Sequence, residues 1–249
     1  MGQDMQNIPY HEAIGSLMYL MLCTRPDIAN PTIKLSQYAT NFNNTHWTAV
    51  KQILQYIKGT LNDTLALGNL KDTHECSITL HGACDSNWAE DVDDRRSISG
   101  YLFTINGGTI SWQTKKQQMV ATSTTQAEYQ ALSTAVKEAL WIRSILEELS
   151  FKQERPMIID QDNKSMIALA NHPVNHACTK HIDIAHHFIR ENIEENTIAL
   201  QYCTTDDMKA DIMMKILPFP KFTKCKKSIN VQDMKNSEGT SQEKHTNDM

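Results

Sequence analysis

The stretch ECSITLHGACDSNWAEDVDDRRSISGYLFTINGGTISWQ, residues 75–113, decides the fold class. Within it Ile78 and Leu80 alternate with Thr79 and His81, the period of a half-buried strand, and the pattern ends near Asp85. Ser97–Asn106 reads as a second strand, Gly107-Gly108 as a hairpin turn and Thr109–Gln113 as a third strand. Downstream, a long helix is expected from about Thr124 to Leu149, and Met157-Ile158-Ile159 is a short apolar run typical of a buried parallel strand. A short helix over Lys164–Ala170, a helix over His181–Glu195, a strand over Ile198–Cys203 and a last helix over Asp206–Ile216 complete the order βββαβααβα. That order predicts an α/β fold, a mixed sheet covered by helices.

Upstream the period is helical. Ile14, Leu17, Met18, Met21 and Leu22 stripe a helix over Pro9–Cys23, which Arg25-Pro26 breaks. A second helix is expected from Asp27 to about Tyr38, and a third carries Trp47, Val50, Ile53, Leu54 and Ile57 until Gly59 stops it. The division that follows is a helical segment over 1–60, a linker over 61–75, an α/β domain over 76–222 and a tail over 223–249. The tail is polar and weakly patterned from about Ser228, so it is expected to be disordered.

The totals narrow the function. With 249 residues, 40% of them hydrophobic, the chain can bury a core in one or two domains. No run approaches the roughly 20 apolar residues of a membrane span. The first residues lack a basic leader and a small-residue cleavage site, and the six cysteines form no CxxC pair, so the expectation is an intracellular, cytoplasmic or nuclear, reduced protein. A net charge of −5 confines any nucleic-acid surface to a local patch.

Four acids stand where chemistry would need them. Asp85 closes the first strand, where an ordinary turn aspartate would also sit. Glu128 heads the helix face of Leu132, Ala135, Ala139, Ile142, Leu146 and Leu149, so its carboxylate faces the sheet; a capping box from Thr125, or one built on Ser123 and Gln126, is the plain alternative. Asp162 follows the apolar strand 157–159, as a site residue or as the cap of the next helix, with Asp160 as a spare. Asp211 lies in the last helix, where a pair with Lys215 at i, i+4 is the plain reading. Carboxylates brought together repel, by roughly 4 kcal/mol per pair at 4 Å and an effective dielectric of 20. A cation must then neutralise them or their pKa values must separate. Hard oxygen ligands without thiolates favour Mg2+, or Mn2+, and two such ions suit in-line phosphodiester hydrolysis.

Residues 84–117, CDSNWAEDVDDRRSISGYLFTINGGTISWQTKKQ, with STTQAEYQALSTAVKEALWIRSILEEL, DNKSMIALANHPVNHACTKHIDIAHHFIRE and TTDDMKADIMMKILP, resemble in order the ribonuclease H domain of copia-type retrotransposon Pol polyproteins. YHEAIGSLMYLMLCTRPDIA and HWTAVKQILQYIKGT resemble the region joining the reverse transcriptase palm to that domain, and the match covers about residues 8–222. The resemblance implies a five-stranded mixed ribonuclease H-like sheet. It also implies a hydrolase that cuts the RNA strand of RNA–DNA hybrids, and a setting in virus-like particles. Carried over by position, Asp85 of CDSNW, Glu128 of AEY, Asp162 of DNKS and Asp211 of KADI become the ligands of two Mg2+ ions. The polymerase palm and fingers of the parent polyprotein are expected upstream; no membrane and no small-molecule cofactor are expected. The sequence departs from the family pattern at Gln126, Asn87 and Glu90, none of them a ligand.

Other features weigh less. Asp91-Val92-Asp93-Asp94 resembles a polymerase YVDD signature but sits in a charged run, so it reads as a surface loop. His172, His176, Cys178 and His181 resemble a zinc set, whereas relatives share only the HxxTKH histidines with no metal implied. His181 is carried as a residue assisting proton transfer or product release. Arg95, Arg96, Lys115, Lys116 and Lys180 are candidate contacts to the hybrid, each equally readable as a surface charge. The N-terminal helices, with Lys51 and Lys58, are candidates to brace the duplex as a thumb or connection element, and Lys221, Lys224, Lys226 and Lys227 after the last helix are candidates to touch phosphates. The alternative function is a catalytically inactive retrotransposon-derived fragment, at most a nucleic-acid-binding or interaction module.

Overall fold

A computed structural model describes residues 7–67, 78–91, 93–171 and 180–233, without the side chains of 180–183. The predicted period change appears as three antiparallel strands: β2 (Leu80–Asn87), β3 (Ile98–Ile105) and β4 (Gly108–Lys116). They follow a short β1 (Asp63–Leu65). Asn106 and Gly107 make the hairpin turn with positive φ, at 48° and 81°, which glycine and asparagine tolerate best. Then come α4 (Thr124–Glu148), β5 (Met157–Gln161), α5 (Lys164–Asn171), α6 (Lys180–Glu194) and β6 (Ile198–Tyr202). The main sheet runs β4-β3-β2-β5-β6, with β2 antiparallel to β3 and parallel to β5, and β5 parallel to β6. This is the ribonuclease H-like arrangement expected above, with N-terminal helices added to it.

The two faces of the sheet bury different partners. On one, Leu80, Cys84, Tyr101 and Phe103 meet the stripe of α4 (Leu132, Ala135, Ala139, Ile142 and Leu146) together with Ile189 of α6. Leu149, predicted in that stripe, is exposed because the helix ends one residue earlier. On the other face, Ala83, Ile98 and Leu102 share a core with α1 (Tyr10–Cys23), α2 (Ala29–Ser36), α3 (Asn44–Gly59) and α7 (Asp211–Met214). The Trp112 indole donates to the Met21 carbonyl at 2.7 Å, tying β4 to α1. Arg25 grips Asp27 through two bonds of 2.9 and 2.8 Å, and Tyr56 donates to the same carboxylate at 2.6 Å, fixing the bend between α1 and α2.

Over residues 223–233 the expected disordered tail is instead ordered, and 234–249 lie outside the described residues. Residues 219–228 form α8 (Phe219–Ser228), and β7 (Val231–Asp233) pairs antiparallel with β1, which lies in the expected linker. Cys225, Ile229 and Val231 are buried in the N-terminal core, and Lys226 pairs with Asp63, so apolar anchors two to four residues apart order this stretch. The last helix of the α/β domain is also shorter than expected: 205–207 are turns and the helix is Asp211–Met214.

Candidate metal centre

Three of the four acids converge. One carboxylate oxygen from each of Asp85, Glu128 and Asp162 lies within 4.8 Å of the others. Asp85 is placed by β2, opposite Gly100 of β3. Glu128 is free for the site because the helix cap lies elsewhere: the Ser123 hydroxyl accepts the Gln126 N–H at 3.1 Å, and the Gln126 amide oxygen accepts from Thr122. The capping role left open for Glu128 is thereby filled by others. Asp162 directly follows β5 and accepts a hydrogen bond from the Thr205 hydroxyl at 3.0 Å. Its neighbour Asp160 pairs instead with His81 at 3.5 Å.

Asp211 stands beside this group with lysines on it. It is fully buried. Lys215 Nζ lies 2.7 Å from Asp85 Oδ2 and 2.7 Å from Asp211 Oδ1, and Lys221 Nζ lies 2.5 Å from Asp211 Oδ2. The i, i+4 pair between Asp211 and Lys215 was legible in the sequence; the reach of Lys215 to Asp85 and the approach of Lys221 from α8 were not.

The electrostatics separate the acids. Burial pushes Glu128 up to about 9, helped by Asp85 and Asp162. Burial likewise raises Asp85 to about 7, with Lys215 opposing and Asp211 and Asp162 adding to the rise. Burial also works against ionised Asp211, but its contacts with Asp85, Lys215 and Lys221 hold it below the ordinary carboxylate value. Burial disfavours the charge on Lys215, yet Asp85 and Asp211 keep its proton bound more firmly than usual. The Cys84 thiol, next to the site, is pushed far up by burial, so it stays protonated and leaves an all-oxygen donor set. Glu128 Oε2 is buried without a hydrogen-bond donor. A desolvated carboxylate oxygen with no donor, facing two further carboxylates, fits a hard divalent cation such as Mg2+ or Mn2+.

Several expected contacts fall elsewhere. Lys116 is held by Asp91, by Asp94 at 2.9 Å and by Gln37 at 2.7 Å, so it anchors the acidic loop to α2. Arg96 pairs weakly with Asp94 at 3.7 Å, and Arg95 takes a positive φ of 57° in the same exposed loop. Lys115 lines a polar groove between β4 and α4 with Gln113, Gln118 and Gln130. The side chains of Lys180 and His181 lie outside the described residues, as do His172, His176 and Cys178. Lys221 and Lys224 are engaged with Asp211 and Asp207.

Over 228 residues the chain is 41% identical to the retrovirus-related Pol polyprotein from transposon TNT 1-94 of Nicotiana tabacum, a match covering 92% of this chain and 17% of that protein. The chain belongs to the copia-type retrotransposon Pol polyproteins. This Pol-family chain is also 47% identical over 138 residues to the secreted RxLR effector protein 161 of Plasmopara viticola, covering 55% of this chain and 94% of that one. No family model matches it. Among solved structures, it is similar to ribonuclease H1 of Halobacterium salinarum NRC-1, at 14% identity and a TM-score of 0.40, covering 55% of this chain and 94% of that one. In this Pol-family chain, no helix of the described residues is long and apolar enough to cross a membrane.

Proposed function

We propose that this chain is a metal-dependent endoribonuclease that hydrolyses the RNA strand of RNA–DNA hybrids in reverse transcription. The observation that carries the reading is the convergence of Asp85, Glu128 and Asp162, from a strand, a helix and a loop, into one cluster on a ribonuclease H-like sheet. Membership of the Pol family supplies the substrate class. Asp85, Glu128 and Asp162 would hold a divalent ion, and Asp85 with Asp211 would hold a second. Such ions, when bound, stabilise the charge developing on the phosphate and lower the pKa of a coordinated water.

The chain's own residues prepare that chemistry. Asp85 and Glu128 must give up their protons before they can ligate, and burial raises the pKa of both, so metal uptake should strengthen as pH rises. Thr205 orients Asp162 by donating to Oδ2. The methionine-rich α7 is tied to the sheet: Thr114 donates to the Met213 carbonyl at 2.7 Å and Asn87 to the Met214 carbonyl at 3.1 Å. His181 is proposed to assist proton transfer at the start of α6, and Arg95, Arg96, Lys115 and Lys180 to meet the hybrid.

The test is incubation of the purified chain with a labelled hybrid and Mg2+. RNA-strand cleavage is expected, falling about a hundredfold or more in Asp162→Asn. No cleavage, or cleavage indifferent to that substitution, leaves the inactive-fragment reading in its place.

A further inference from the structure

Lys215 sits where a second cation would have to go. Its ammonium spans Asp85 Oδ2 and Asp211 Oδ1 at 2.7 Å each, and the other oxygen of Asp211 is taken by Lys221. The charge count agrees. Asp85, Glu128, Asp162 and Asp211 bring four negative charges when ionised, and Lys215 and Lys221 bring two positive, which leaves two for one divalent ion to cancel. A second divalent ion at Asp85 and Asp211 would meet the ammonium head on.

The side chain also has somewhere to go. Lys215 is 31% exposed and lines a groove of about 410 Å3 between α2, α3 and the 212–222 segment. Asn30 and Gln52 line the same groove and give it polar walls. The Lys215 backbone is pinned by its N–H to the Asp211 carbonyl at 2.8 Å, so withdrawal needs side-chain torsions only.

We propose that Lys215 is a built-in counter-ion for the second cation position, so that the resting chain takes up one divalent ion and admits another only when this side chain withdraws. The proposal rests on the metal-site reading above.

Mn2+ binding to the full chain, counted by the paramagnetic resonance signal of the free ion, tests it. The wild type is expected to bind one ion tightly and a second at least tenfold more weakly. Lys215→Met is expected to tighten the second site at least tenfold, and Lys215→Arg, which keeps the charge, to leave it weak. Thermal unfolding is a companion readout: Lys215→Met strands two buried carboxylates, so Mn2+ should raise its Tm more than that of the wild type.

Two equally tight ions in the wild type, or a Lys215→Met chain that binds as the wild type does, overturns the counter-ion role. Either outcome leaves the metal site standing. Absence of Mn2+ binding in all three chains overturns both readings together.

A measurement on the wild type does not depend on the variants folding. In an isotope-labelled chain, the Lys215 ammonium protons are expected to stay protected from solvent exchange through the first equivalent of Mg2+ and to lose that protection with the second. Loss with the first, or none at all, contradicts the proposal.

Discussion

Glu128 heads an otherwise apolar helix stripe, and the fold gives it two acidic neighbours and little water. Its proton is therefore bound more firmly in the folded chain than in the unfolded one, and the same holds for Asp85. Between their ordinary values of 4.5 and 3.8 and the folded values of about 9 and about 7, the unfolded chain binds fewer protons. Metal-free stability should then be fullest near pH 4 and fall as pH rises through about 7 and about 9. Asp211 works in the opposite sense, since its lowered value gives stability that is lost only as pH falls into the acid range. Glu128→Gln should flatten the alkaline part of this profile and make the metal-free chain at least as stable as the wild type at about pH 8, while abolishing metal-induced stabilisation. Thermal unfolding across pH, with and without Mg2+, checks this. A wild-type chain whose Tm rises between about pH 5 and pH 9 without metal contradicts it.

At the scale of elements, the site depends on how closely α7 lies on β3. A Cβ built on Gly100 would stand 2.5 Å from Met213 Cβ and 2.7 Å from Met214 Cε, closer than packed atoms allow. Gly100 is also the register partner of Asp85, and α7 begins with Asp211. Gly100→Ala should cost about 1–3 kcal/mol through overpacking and should displace Asp211 and Lys215 along with α7. Denaturant unfolding measures the first, and the metal-binding count the second. An unchanged midpoint with unchanged metal binding would show that α7 yields freely.

Much at this scale was legible in the sequence. The change from helical to alternating period around Ile78 located the sheet, and the α4 stripe located the face that Glu128 shares. What escaped was held by sparse or distant anchors. The three residues of β7 find their partner in β1 some 170 positions away. The packed side of α8 is mainly Cys225 and Phe222 among lysines, and a charged segment of that kind reads as solvated until its partner is known.

The whole molecule makes the site out of remote pieces. Ala83, Ile98 and Leu102 of the sheet share one core with Leu17, Val50 and Met213, so the N-terminal helices are a covering layer of the sheet. The carboxylates that nominated themselves along the chain were individually ambiguous, each with a cap, turn or pair to explain it. Only folding could show that Ser123 caps α4, leaving Glu128 for the site, and that Lys215 reaches past Asp211 to Asp85. The proposed chemistry therefore requires that three acids separated by 43 and 34 residues hold one ion. Anomalous diffraction from a crystal of the chain soaked in Mn2+ asks this directly. A peak is expected, bonded at about 2.0–2.3 Å to carboxylate oxygens of Asp85, Glu128 and Asp162. No peak there, or one held by other residues with these three carboxylates apart, would contradict it.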